Sequence, residues 1–129
     1  MGTVDLNMPV LIVDEYVTML RTMGKLMKAL GFENVDQASD GHEALEKLHS
    51  RPYGLVISGW DMQPMSGLDL ARQMRSNALL DKVLIVMTAA ENGHDNVAAA
   101  KQAGVSEYIV KPFSASALKD KLTPILGRF

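Results

Sequence analysis

The chain has 129 residues, 47% of them hydrophobic, with 13 lysines and arginines against 15 aspartates and glutamates, for a formal charge of -2. That length suits one domain, 1–129, with a proper core, and the near balance of charge gives no basic footprint, so direct nucleic-acid binding is not expected. Cysteine is absent, which removes disulfides and thiolate metal sites, and no apolar run nears the roughly 18 residues of a membrane span.

Met1 to Pro9 lacks the basic start and long apolar core of a secretory signal, so a cytoplasmic location without membrane insertion is the expectation. Val10-Leu11-Ile12-Val13 is an unbroken β-prone run that stops at Asp14-Glu15, as a strand covered on both faces would. Leu20, Met23, Met27 and Leu30 recur at helical spacing up to Gly31. This methionine stripe predicts core packing, and Gly24 inside the helix costs about 0.5–1 kcal/mol relative to alanine. Val35 to Ala38 is a short second strand, and Ser39-Asp40 caps a helix through Ala44, Leu45 and Leu48. Past Pro52, the run Gly54 to Ser58 is the third strand. Ser66 then suits the turn into a helix over Gly67 to Met74.

Val83 to Met87 predicts a fourth strand ended by Thr88. Asn92 to Ala103 is alanine-rich and helical, with Gly104 placed to end it in the left-handed region. Glu107 to Val110 is the fifth strand, and Ser114 caps a last helix carrying Leu118, Leu122 and Ile125. Strand then helix, five times, predicts an α/β, three-layer (βα)5 flavodoxin-like sandwich with parallel strand order 2-1-3-4-5 and a core over about 10–126. Sites in such sheets form outside the carboxyl ends of the strands, near the reversal of strand order. Those ends carry Asp14 and Glu15, Gly59 and Asp61, Thr88, and Lys111. Neither a phosphate-binding loop nor a Gly-x-Gly-x-x-Gly motif occurs.

The ordered set Leu-Ile-Val-Asp14-Glu15, Val-Ile-Ser-Gly59-Trp60-Asp61-Met62, Pro64-Met65-Ser66-Gly67, Val-Met-Thr88-Ala89 and Tyr108-Ile-Val-Lys111-Pro112-Phe113 resembles the receiver domain of bacterial two-component response regulators, in its stand-alone chemotaxis form. The resemblance runs from about Val10 to Ile125. It implies phosphoryl transfer from a histidine kinase to an aspartate at the end of the third strand, with magnesium bound by Asp14, Glu15 and the backbone carbonyl of Asp61. It assigns Lys111 and Thr88 to the phosphoryl group, makes the Lys111–Pro112 bond cis, and makes Tyr108, with Ala89 and Phe113, part of a switch. The surface of the fourth helix, fifth strand and fifth helix becomes the face for a histidine kinase or another signalling or flagellar protein.

The acceptor position is Gly59, which has no carboxylate to serve as nucleophile. Self-phosphorylation and dephosphorylation are therefore expected to be lost, magnesium binding to be weakened and unnecessary for function, and Lys111 to pair with Asp14. Asp61, two residues on, is a poor substitute, because the family uses its backbone and small displacements cost much rate. Glu15 is no departure, since either acid serves there. The leading expectation is a receiver-like protein acting by protein–protein interaction. An ordinary phosphoacceptor switch whose aspartate was replaced is the alternative, and a flavodoxin-like ligand-binding domain or enzyme is a distant third. His42, His49 and His94 lack ligand spacing, and Trp60 is expected to pack around the acceptor pocket.

Overall fold

The computed structural model describes residues 2–90 and 94–129, and the side chains of all of these except 94–96. Strands and helices alternate along the chain as β1 (Val10–Val13), α1 (Val17–Ala29), β2 (Val35–Ala38), α2 (Gly41–Ser50), β3 (Leu55–Gly59), α3 (Gly67–Arg75), β4 (Leu84–Ala89), α4 (His94–Gln102), β5 (Glu107–Val110) and α5 (Ala115–Leu126). All neighbouring strands are parallel, in the order β2-β1-β3-β4-β5. The expected (βα)5 flavodoxin-like sandwich is the architecture observed.

Successive side chains of a strand point to opposite faces, and here both faces are covered. Val10, Ile12, Leu55, Ile57 and Val86 pack with Leu20, Met23 and Met27 of α1 and Leu118 and Leu122 of α5. Leu11, Val13, Val56, Ile85 and Met87 pack on the other side with Leu48 of α2 and Leu70 and Met74 of α3. The methionine stripe of α1 is core, as expected from its spacing, with Met23 and Met27 fully buried. Burying each such side chain stabilises the fold by about 1.5–3 kcal/mol before entropy is counted.

The helix ends follow the predicted chemistry. Asp40 accepts from the Glu43 N–H at 2.8 Å while Glu43 accepts from the Ser39 N–H at 2.9 Å, satisfying donors that a helix start leaves open. Ser66 and Ser114 cap α3 and α5 in the same way, accepting from Asp69 and Ala117 at 3.1 Å each. Gly31 and Gly104 take φ values of 105° and 90° beyond α1 and α4, a region that favours glycine.

Two strands, β3 and β4, differ from expectation at both of their ends. β3 begins and ends one residue later than predicted, so Gly59 is its last residue. β4 runs through Thr88 and Ala89, because β3 offers Gly59 to Thr88 while β5 offers Ile109 and Val110 to Thr88 and Ala89. Thr88 thus lies inside its strand. The predicted helix start at Asn92 lies outside the described residues.

Candidate functional site

At the carboxyl edge of the sheet, where the strand order reverses between β1 and β3, a cleft of about 170 Å³ is lined by Asp14, Glu15, Gly59, Asp61, Thr88 and Lys111. These are the residues that the strand ends pointed to, and the fold brings all six together. Ala89 also lines it, whereas Tyr108 and Phe113 line depressions on the flank.

Gly59 forms the floor. A Cβ added there would stand 2.8 Å from Asp14 Oδ2 and 3.4 Å from Asp14 Cγ, so the Asp14 carboxylate crowds the space that any side chain at Gly59 would need. Asp14 is buried, at 4% exposure, and a buried charge is costly unless partnered. Its Oδ1 accepts from the Tyr16 N–H at 3.0 Å, and its Oδ2 lies 3.6 Å from Lys111 Nζ. The pairing of Lys111 with Asp14 expected from the sequence is present. Lys111 is itself placed by its backbone N–H, which donates to the Ala89 carbonyl at 2.8 Å, and the Lys111–Pro112 bond is cis.

Thr88 is buried, and its hydroxyl donates to the Ser58 carbonyl at 3.5 Å, the long limit of a hydrogen bond. Ser58 Oγ donates to the Gly59 carbonyl at 3.0 Å. The loop that follows is tied at both ends, since the Trp60 N–H donates to the Thr88 carbonyl at 3.0 Å and the Gly67 N–H to the Trp60 carbonyl at 2.9 Å. Asp61, near the start of that loop, is exposed.

Gly67 matters more than its place in a motif suggested. A Cβ on it would fall 2.0 Å from the Gly59 carbonyl oxygen and 2.7 Å from Met87 Sδ, so only glycine lets α3 approach the end of β3. The sequence signalled a helix start there, but no spacing shows which backbone carbonyl abuts it. A second contact hidden from the sequence joins Trp60 to Tyr108, with ring centroids 6.1 Å apart and planes at 79°. Such edge-to-face packing is favourable. It links a wall of the cleft to edge strand β5.

Beyond Tyr108 lies a depression of about 260 Å³ between α4, β5 and α5, bordered by Ala100, Lys101, Val105, Glu107 and Lys121. Glu107 and Lys121 pair across it at 3.7 Å. Phe113 lines an adjoining hollow with Tyr108 and Ala117. His42 and His49 are exposed on α2, and the His94 side chain lies outside the described residues. Among the described residues, no three His, Asp or Glu side chains converge as a metal cage.

The family model for the response regulator receiver domain matches residues 10–123, and the chain belongs to that family. It is 41% identical over 121 residues to the chemotaxis protein CheY of Pseudomonas aeruginosa, covering 94% of this chain and 98% of that one. Its structure matches that of chemotaxis protein CheY4 of Vibrio cholerae with a TM-score of 0.86 at 27% identity, over 93% of this chain and 99% of the other. The fold is also that of the receiver domain of a Pseudomonas aeruginosa sensor histidine kinase with a magnesium ion coordinated in its active site cleft, at a TM-score of 0.84 and 21% identity, over 94% and 98% of the two chains. The chain is a CheY-like receiver protein of two-component signalling. No described helix is long and apolar enough to cross a membrane.

Proposed function

We propose that this protein signals by binding partners and not by accepting phosphate, with Gly59 at the position of the family's phosphoacceptor aspartate. The observation that carries this reading is the end of β3, where Gly59 offers no side chain and Asp14 Oδ2 lies 2.8 Å from where one would begin. An aspartyl phosphate requires a carboxylate nucleophile. Asp14 is engaged by Lys111, and Asp61 is exposed on the tied loop. The protein therefore lacks self-phosphorylation and dephosphorylation activity.

Magnesium is a hard cation that takes oxygen ligands. The carboxylates of Asp14 and Glu15 and the carbonyl of Asp61 fit such an ion in kind, and would hold it, but Asp14 is committed to Lys111. Binding is accordingly weak and is not needed for the interaction role. When bound, the ion would neutralise charge between these acids.

The partner is a histidine kinase or another signalling or flagellar protein, and its docking face is formed by α4, β5 and α5. Support comes from the half-buried Tyr108 and the depression beside it, and from the Trp60–Tyr108 ring contact through which the cleft reaches that face. Phe113, which shares a hollow with Tyr108, and Ala89, on the wall of the cleft, are the remaining switch residues.

A second reading, an ordinary switch whose acceptor was replaced, is favoured by one observation: Asp14, Glu15, Thr88 and Lys111 all still line the cleft. Treatment with a small phosphodonor and magnesium, followed by intact mass and peptide mapping beside Gly59→Asp, tests the proposal. No phosphoryl adduct on this chain is expected. A labile adduct on Gly59→Asp would support an otherwise competent cleft, whereas an adduct on this chain, at Asp61 or elsewhere in the cleft, would overturn the interaction-only role.

A further inference from the structure

Away from the cleft, α1 differs in charge from the other four helices. It carries Arg21, Lys25 and Lys28 and no acidic residue, whereas each of α2, α3, α4 and α5 holds both signs. Spacings of four and three put the three cations along one face of the helix. All are exposed, and none forms an ion pair among the described residues. A cation near a helix C-terminus is favoured by the helix dipole, which accounts for Lys28 but not for Arg21 or Lys25, further back along the helix.

These side chains border a depression of about 330 Å³ between α1 and edge strand β2, floored by Gly24, Phe32, Val35 and Gln37. Gly24 deepens it without being required there, since an added Cβ would meet only Gln37 Nε2, at 3.6 Å. Glu33 also borders the groove, so its charges leave +2 in a chain whose net charge is -2. The groove thus has the opposite sign to the rest of the molecule.

We infer that the groove between α1 and β2 docks an acidic, extended segment of a partner protein. A helix rises 1.5 Å per residue, which separates Arg21 from Lys25 by about 6 Å along its axis. Alternate residues of an extended chain are about 6.7 Å apart on one side, so carboxylates two positions apart match Arg21 and Lys25, and the long side chain of Lys28, about 4.5 Å further along the axis, reaches towards a third. The segment lies in the groove and does not lengthen the sheet, because the Lys47 ammonium donates to the Gln37 carbonyl and covers the edge of β2. A nucleic acid strand suits it less well. Phe32, the aromatic residue in the groove, is 1% exposed and offers no stacking platform.

The test is an NMR titration of the labelled full chain with a hexaglutamate peptide, beside hexaglutamine and a short oligothymidylate. Amide shifts confined to 21–28 and 33–37, absent with hexaglutamine, are expected. R21E/K25E/K28E should weaken binding about tenfold or more, while R72E/K82E/R128E, equal in net charge and exposed away from the groove, the cleft and the α4–β5–α5 face, should change it far less. Equal loss in both variants, shifts centred on another face, or no shifts would overturn the proposal. Tighter binding of the oligothymidylate at the same amides would overturn the choice of a protein partner.

Discussion

Gly59 and Gly67 meet where α3 approaches the end of β3, and their surroundings make opposite demands on a side chain. The neighbour of an added Cβ at Gly59 is the end of the Asp14 side chain, which can swing aside, whereas at Gly67 it is a backbone carbonyl only 2.0 Å away. Gly67→Ala is therefore expected to destabilise the protein by about 3 kcal/mol or more, and Gly59→Ala to stay within about 1 kcal/mol of the parent, as read from urea midpoints. Equal losses would contradict the geometry at Gly67. The ends of β1 and β5 were legible in the sequence as apolar runs stopping at polar residues, and this located Asp14 and Lys111. What the run of residues did not carry is how far a carboxylate leans: Asp14 fills the space at Gly59, and Trp60 reaches Tyr108, through contacts that exist only after the sheet forms.

At the level of elements, Arg75 at the end of α3 holds several backbone segments together. Its guanidinium donates to the carbonyls of Gly104 at 2.9 Å, Asp81 at 3.0 Å and Val83 at 2.7 Å. Burial pushes its pKa below the ordinary arginine value, with Asp81 opposing. Arg75→Ala should cost about 2–4 kcal/mol by denaturant unfolding, and Arg75→Lys nearly as much, because an ammonium lacks the planar fork that reaches diverging carbonyls. Asp40→Ala, which removes the α2 cap, should cost about 1 kcal/mol. The caps were legible because they use local sequence. The end of β4 was not, because Thr88 and Ala89 are made strand by partners on β3 and β5.

For the whole molecule, alternating β-prone and helical runs determine the layers, since parallel neighbours need crossover connections. Stability at high pH reports on how the far end of the sheet closes. Tyr53 donates to Asp36 Oδ2 at 2.5 Å, and Arg51 shares that carboxylate. Burial first, and then the Asp36 hydrogen bond and charge, raise the Tyr53 pKa from 10.0 to about 12. The folded state keeps this proton after the unfolded chain has lost it, so the contribution is complete below about pH 10 and is lost as pH rises towards about 12. Unfolding free energy should fall across that window, and Tyr53→Phe should flatten the fall; an unchanged slope in Tyr53→Phe would show that Tyr53 is not its source.

The sole tryptophan, Trp60, lines the cleft directly after Gly59 and packs against Tyr108, so its fluorescence reports on any phosphoryl group arriving there. With magnesium present, addition of a small phosphodonor should leave the Trp60 emission of this protein unchanged and should produce a transient, reversible change in Gly59→Asp. A transient change of the same size in the unaltered protein would contradict the claim that the cleft cannot accept phosphate.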